Sequence, residues 1–304
     1  LVGQAYQAGT NTFYIRARDN AGNESGWGSI NYTLQPPDTP QNLSITRIGD
    51  SLKLDWVAGE GALQYKVYRM ANKAYFTVAE GTVLTTTTGL TYTDSSPGIV
   101  GNINNNYFYF VTSTNLAGES DPSNRVGEFD YQLIHNAGNT SYNWIGMPLI
   151  DTTITRASDI AAKLGADFDG IWEWYADTQL ENNGYPPNDF DISHGRCYKV
   201  SVKNQNKVLT IVGRVPDTET GLFDLVHNDM GTSFNWIYVP LSRTDITSAS
   251  TLFTALNGKA DTIWKWMPEM QMESNGYVGL PFGNFDIKAG YPCKLSVTVD
   301  SSWP

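Results

Sequence analysis

Tyr107-Phe108-Tyr109-Phe110-Val111-Thr112-Ser113-Thr114-Asn115, followed by Leu116-Ala117-Gly118-Glu119-Ser120, is the stretch on which the reading of the fold turns. Aromatic and β-branched residues dominate it, and Asn115 and Gly118 close it, so it reads as a strand running into a tight turn. Upstream the pattern is echoed at a constant offset of 96: Ile15, Ala17 and Asp19-Asn20-Ala21-Gly22 line up with Val111, Ser113 and Asn115-Leu116-Ala117-Gly118. Alternating runs such as Ser51-Leu52-Lys53-Leu54-Asp55-Trp56 and Tyr65-Lys66-Val67-Tyr68 add further strands. Only Arg156–Leu164 and Ser248–Leu256 read as helix. The fold class is therefore all-β: tandem β-sandwich modules, with one short helix in each of two C-terminal repeats.

The 304 residues suffice for two to four domains. Twenty Lys and Arg stand against 31 Asp and Glu, a net charge of −11, so nucleic acid is a poor partner. Charged residues make up 17% and aromatics 12%, which sets disorder aside. No run approaches the roughly 18–20 apolar residues of a membrane span, so membrane insertion is not expected. No signal peptide opens the chain, which begins at Leu1 in what reads as the middle of a domain. A surface rich in Thr, Ser, Asn and Gly, and net acidic, suggests an extracellular or cell-surface location.

The first boundary is Gln35-Pro36-Pro37-Asp38-Thr39-Pro40, where adjacent prolines fix φ and remove donors. Residues 1–35 supply only two strands and resemble the last two strands of a partial immunoglobulin-like domain. Residues 36–130 carry a complete set, with Trp56 ending the second strand and Tyr107 opening the sixth. This segment resembles a fibronectin type III domain. The resemblance implies that Trp56 fills the core and that Tyr107 ties down a corner. It implies little about activity, since function sits in sites grafted on folds.

The rest is an internal duplication. His135-Asn136, Asn143-Trp144-Ile145, Pro148-Leu149, Ile154-Thr155, Ile171-Trp172 and Trp174 recur 92 residues later as His227-Asn228, Asn235-Trp236-Ile237, Pro240-Leu241, Ile246-Thr247, Ile263-Trp264 and Trp266. Asn183-Gly184-Tyr185 matches Asn275-Gly276-Tyr277 at the same spacing, and beyond a variable loop the offset becomes 95. The copies span residues 131–215 and 216–304. Each resembles a repeat of secreted bacterial surface proteins with a W-N-L-x-S-L-P opening and a G-x-x-Y-x-V-x-V strand. That resemblance implies a small β module with no assigned chemistry. The second copy stops at Trp303-Pro304, before any equivalent of Leu209–Gly213, so both ends read as cuts in a longer polypeptide.

Chemistry-bearing constellations are few. The three histidines, His135, His194 and His227, lie in no metal or acid–base motif. No GxSxG elbow, HExxH or P-loop is present, and catalysis is not expected. No cofactor is called for. Calcium is the one ion for which acidic turns offer hard oxygen donors, at Asp19-Asn20-Ala21-Gly22-Asn23-Glu24 and Asp167-Phe168-Asp169, though neither is an EF-hand. Cys197 and Cys293 fall one position apart under the 95 offset, on opposite strand faces, and read as two free thiols. Trp172 and Trp174 share one strand face, as do Trp264 and Trp266. Opposite them Glu173 in one copy is Lys265 in the other, a charge swap that points to water. The indoles are therefore expected in the core, each burying roughly 150–250 Å². Tyr185 and Tyr277, in turns beside the variable loop, are the candidates for stacking on a sugar ring.

These features give a non-catalytic structural or adhesive region of a large secreted or cell-surface bacterial protein, engaging polysaccharide or other surface proteins. Two alternatives are the accessory C-terminal modules of an extracellular hydrolase and the subunit of a self-assembling sheath or filament.

Overall fold

The computed structural model describes residues 9–280 and 282–304. Each turn-bounded run of aromatic and β-branched residues becomes a strand. The first two, β1 (Gly9–Ile15) and β2 (Gly28–Leu34), form an antiparallel hairpin. Phe13 faces Ile30 across it. Shifted by 96, these are Tyr109 and Val126, which face each other in the next module. The echo seen in the sequence is thus one of strand register as well.

That next module is a sandwich of two antiparallel sheets. One contains β3 (Gln41–Ile48), β4 (Ser51–Val57) and β7 (Thr91–Asp94). The other contains β5 (Gln64–Ala71), β6 (Thr82–Thr87), β8 (Tyr107–Asn115), the short β9 (Gly118–Glu119) and β10 (Val126–Leu133). Between the sheets lie Leu52, Leu54, Trp56, Tyr65, Val67, Tyr109, Val111 and Val126. Trp56 is buried as the sequence implies and packs edge-on against Tyr65, ring centroids 5.7 Å apart. Tyr107 does not make the corner bond. Its ring lies beneath the Arg69 guanidinium at 5.1 Å, while Tyr109 donates its hydroxyl to Asp94 at 3.0 Å. The two phenols share the inward face of β8, but Tyr107 sits half-buried at the strand's start while Tyr109 is fully buried, and the deeper phenol is the one that reaches the buried acceptor.

The first repeat comprises β11 (Tyr142–Gly146), α1 (Ala157–Leu164), β12 (Phe168–Tyr175), β13 (Leu180–Glu181), β14 (Cys197–Val202) and β15 (Lys207–Arg214). The second comprises β16 (Phe223–Leu225), β17 (Phe234–Tyr238), α2 (Ala249–Leu256), β18 (Ala260–Trp264), β19 (Trp266–Met267), β20 (Met272–Glu273), β21 (Pro292–Val297) and β22 (Ser301–Trp303). Both helices fall where the sequence places them. Asp159 accepts from the Arg156 N–H at the start of α1, and Ser248 and Thr251 bond reciprocally at the start of α2. The registers agree with the offsets: Gly146 faces Cys197, and Tyr238 faces Pro292. Even the bulge recurs, between Phe168 and Gly170 and between Ala260 and Thr262.

The closing strand of the first repeat does not join its own sheet. Along its full length β15 pairs with β10, extending the second sheet of the sandwich to the order β15-β10-β8-β5-β6. The division expected at 130/131 consequently falls inside a strand. One face of β10 carries Val126 into the sandwich core, and the other carries Phe129, Tyr131 and Leu133 into the core of the first repeat. That second core also takes Tyr68, Phe76, Phe108 and Phe110, so the outward face of the sandwich is covered too. Burial on both faces is what the unbroken apolar run Tyr107–Val111 encodes.

In the second repeat β16 pairs with β22, and Trp303 faces Phe223 as Leu209 faces Tyr131. The second copy therefore does hold an equivalent of Leu209, contrary to the reading of the sequence. Trp303 is 2% exposed and stacks on Phe223. Simple counting at 95 missed it because the closing turn is one residue shorter.

Candidate functional site

The tryptophans, the strongest chemical feature of the sequence, converge where the two repeats meet. Their faces are the reverse of those expected. Ile171 and Ile263 point into the cores, both without exposure, and Glu173 follows Ile171 inward at 8% exposure. Trp172, Trp174, Trp264 and Trp266 lie on the other face and are half-buried. The charge swap at 173 and 265 was a weaker signal than the two isoleucines. Glu173 tolerates burial because Arg196 lies 3.7 Å away, although desolvation still raises its carboxyl above the usual range.

What covers the outer face is the other repeat. Trp144 and Trp236, equivalent positions, meet at 4.6 Å between ring centroids. Trp266 stacks on Trp144 at 5.4 Å, and Trp174 on Trp236 at 6.2 Å. The order Trp266, Trp144, Trp236, Trp174 reads the same from either end once the repeats are exchanged. The polar bonds obey the same exchange. Trp174 Nε1 donates to the Phe234 carbonyl at 2.8 Å, and Trp266 Nε1 to the Tyr142 carbonyl at 2.7 Å. Gln179 bonds both N–H and C=O of Phe234, and Gln271 does so for Tyr142. Asn136 donates to Pro268, and Asn228 to Ala176. This is the pattern of an isologous contact, the kind found across a two-fold axis, here within one chain. Sequence reasoning missed Gln179 and Gln271, though the shared offset of 92 and their place five residues after a repeated Trp were there to be read.

Outside the stack, Trp172 meets Tyr142 edge-on at 5.6 Å and Trp264 meets Phe234 at 5.7 Å. Over each pair sits a lysine, Lys199 or Lys294, held by Glu181 or Glu273. The amphipathic stems shield the rings while the charges stay paired.

Of the proposed sugar-stacking residues, Tyr277 is 7% exposed and joins the core of the second repeat against Phe253, ring centroids 5.7 Å apart. Tyr185 is half-buried and packs on the core of the first, near Phe168. Each exchanges two backbone bonds with the isoleucine of its neighbouring strand, Ile171 or Ile263. The structure keeps them apart, one per repeat, with their backbones sewn into the sheets.

The acidic turns are filled by protein donors. Asp19 accepts from Ala21 N, Asn23 N and Asn23 Nδ2, of which the Asn23 side chain does most to hold its carboxyl below the usual range. Asp167 accepts from Gln205, Asn204 and Lys207, and Asp169 from Ser201. Among the described residues no three His, Cys, Asp or Glu side chains converge as a metal would require. His135 and His227 bond equivalent serines, Ser141 and Ser233. His194 meets the Tyr238 hydroxyl at 3.3 Å. Cys197 and Cys293 are free and buried in one cluster, and burial pushes the Cys293 thiol up to about 12. A protonated, enclosed thiol is a poor nucleophile.

One further polar cluster lies on β10. Glu128 and Asp130 are both fully buried. Glu128 accepts from Tyr107 N at 2.6 Å, and Asp130 from Asn102 N at 2.7 Å and Thr210 Oγ1 at 2.5 Å. Burial, reinforced by the charge of Asp130, lifts the Glu128 carboxyl to about 9.

No family model matches the chain, and no curated protein matches it. Among solved structures, a Fn3-like protein from Clostridium thermocellum is 27% identical, over 29% of this chain and 88% of that one, with a TM-score of 0.25. Domains A168–A170 of titin are 23% identical over 34% of this chain and 36% of theirs, at 0.24. The FN1–FN3 domains of chicken CNTN1 are 13% identical over 67% and 74%, at 0.25. The neighbours are fibronectin type III-like domains, similar to parts of this chain. Among the described residues no helix is long and apolar enough to cross a membrane.

Proposed function

We propose that this chain is a non-catalytic structural and adhesive segment of a larger secreted or cell-surface bacterial protein, in which the fibronectin-like sandwich and the two repeats act as one stiff body. The observation that carries this reading is the pairing of β10 with β15. Eight residue pairs tie the sandwich to the first repeat, and a single aromatic core runs across the junction. The indole stack then fixes the second repeat to the first. Flexible arrays join their modules by linkers and modest polar interfaces; here the connections are a β ladder and an apolar core. The invariant business of such a body is to hold its surfaces at fixed distance and orientation, and polysaccharide or neighbouring surface proteins are what it would meet.

Scanning calorimetry of the full chain tests the coupling. Residues 36–304 are expected to melt in one cooperative transition, with the hairpin at 9–34 contributing little. Separate transitions for the sandwich and the repeats would overturn the reading.

A further inference from the structure

The two-fold relation between the repeats creates two equivalent clefts, one at each end of the indole stack, and they have diverged. The cleft beside Trp174 and Trp236 holds about 140 Å³ and is lined by Glu173, Arg196 and Asp224. Its counterpart beside Trp266 and Trp144 holds about 460 Å³, within the range of roughly 300–1,000 Å³ usual for small-molecule sites. Where the small cleft has Arg196 and Asp224, the large one has Tyr291 and Gln132. An ion-pairing guanidinium and a carboxylate are thereby replaced by a phenol and a carboxamide.

We infer that the large cleft is a binding site for a neutral saccharide. It deepens the adhesive part of the reading above and rests on it. All three modules build the site: Ile103, Asn104 and, on β10, Gln132 come from the sandwich, Trp144 from the first repeat, and Trp266 and Tyr291 from the second. Clefts at such junctions are where small ligands preferentially bind. Sugar rings present an apolar C–H face and a rim of hydroxyls. Trp266, the half-exposed end of the stack, and Tyr291 provide aromatic surface for the first. For the second, Gln132 is exposed and can both donate and accept. The charged side chains lining the cleft are Lys265, Lys288, Glu269 and Asp286, two of each sign, and among the described residues none of them is in an ion pair. Their balance disfavours an anionic polymer; Lys265 is held over the Phe285 ring and against the Asp286 carbonyl, so Lys288, Glu269 and Asp286 are the groups that would meet the hydroxyls of an uncharged polyol.

The test is titration of the full chain with soluble hexasaccharides of glucose, N-acetylglucosamine, xylose and mannose, and with a hexauronate, followed by tryptophan fluorescence and by the indole N–H signals in NMR. At least one neutral hexasaccharide is expected to bind with a dissociation constant of about 1 mM or below, perturbing the Trp266 signal. The double variant Gln132→Ala/Lys288→Ala, both exposed side chains, is expected to weaken it about tenfold. Asp224→Ala, in the small cleft, leaves binding unchanged. Calorimetry on each variant separates lost binding from lost folding, and keeps this outcome distinct from that of the coupling experiment. Absence of binding by every neutral hexasaccharide, preference for the hexauronate, or binding indifferent to the double variant would each overturn the assignment.

Discussion

Glu128 and Asp130 stand two residues apart on the same face of β10, neither with any solvent exposure. Two carboxylates cannot both stay ionised there without an opposite charge in contact, and Arg47, the cation that lowers Glu128, acts more weakly than burial and Asp130. Glu128 therefore keeps its proton in the folded chain up to about pH 9, whereas the unfolded chain loses it near the ordinary value of 4.5. Folding takes up a proton throughout that window, so stability falls as pH rises across it. Glu128→Gln keeps the acceptor for Tyr107 and removes the titration. The variant is expected to be more stable by roughly 1–3 kcal/mol at pH 8 and to show a flatter pH profile in urea melts. A profile identical to wild type would refute this account of the seam.

The reciprocal bonds of Trp174 and Trp266 make a symmetry prediction. Trp174→Phe and Trp266→Phe each delete one indole N–H while Gln179 or Gln271 continues to donate to the same carbonyl. Each is expected to cost about 1 kcal/mol in chemical denaturation, the two values agreeing within ~0.5 kcal/mol. A large inequality would mean that the interface is not the two-fold contact described.

Gly290 has φ +83° and lies against Phe129, whose ring occupies the space a β-carbon would need, while its carbonyl accepts from Tyr131 Oη at 2.5 Å. Gly290→Ala must displace a core aromatic and hold a left-handed backbone. A loss of about 2–4 kcal/mol in the urea midpoint is expected, and a neutral effect would place Phe129 elsewhere.

Cys197 and Cys293 are enclosed, and burial raises both thiols. A thiol reagent at pH 8 is expected to label neither in the native chain and both after denaturation. Rapid native labelling would show that the cluster they share opens to solvent.

The fold class, both helices and the duplication were legible because each rests on local pattern: β-branched runs, helical periodicity and a fixed offset. That Trp56 belongs to the core followed from the family resemblance of residues 36–130 and not from local pattern. What depended on partners could not be read so directly. At Tyr107–Val111 the absence of alternation already signalled two buried faces, yet nothing in the run names β15 as the strand that would lie beyond β10. The tryptophan faces were misjudged because Glu173 and Lys265 were taken as solvent markers. A buried acid with an arginine 3.7 Å away leaves no trace in the pattern of its own strand. Tyr277 looked like a display residue because its turn is polar, but its Gly276 neighbour lets the backbone tuck beneath the Trp264 ring and draws the phenol inward.

The pairing of β10 with β15 also sets an order of events during synthesis. Roughly seventy residues separate the end of one strand from the start of the other, which a ribosome needs about 4–15 s to produce. Throughout that interval the nascent sandwich holds its inner core without Val212 and shows a naked outer sheet of Phe108, Phe110, Phe129 and Tyr131. The module cannot mature when its own last strand emerges. It must wait, sticky and unfinished, for a strand that belongs by sequence to its neighbour.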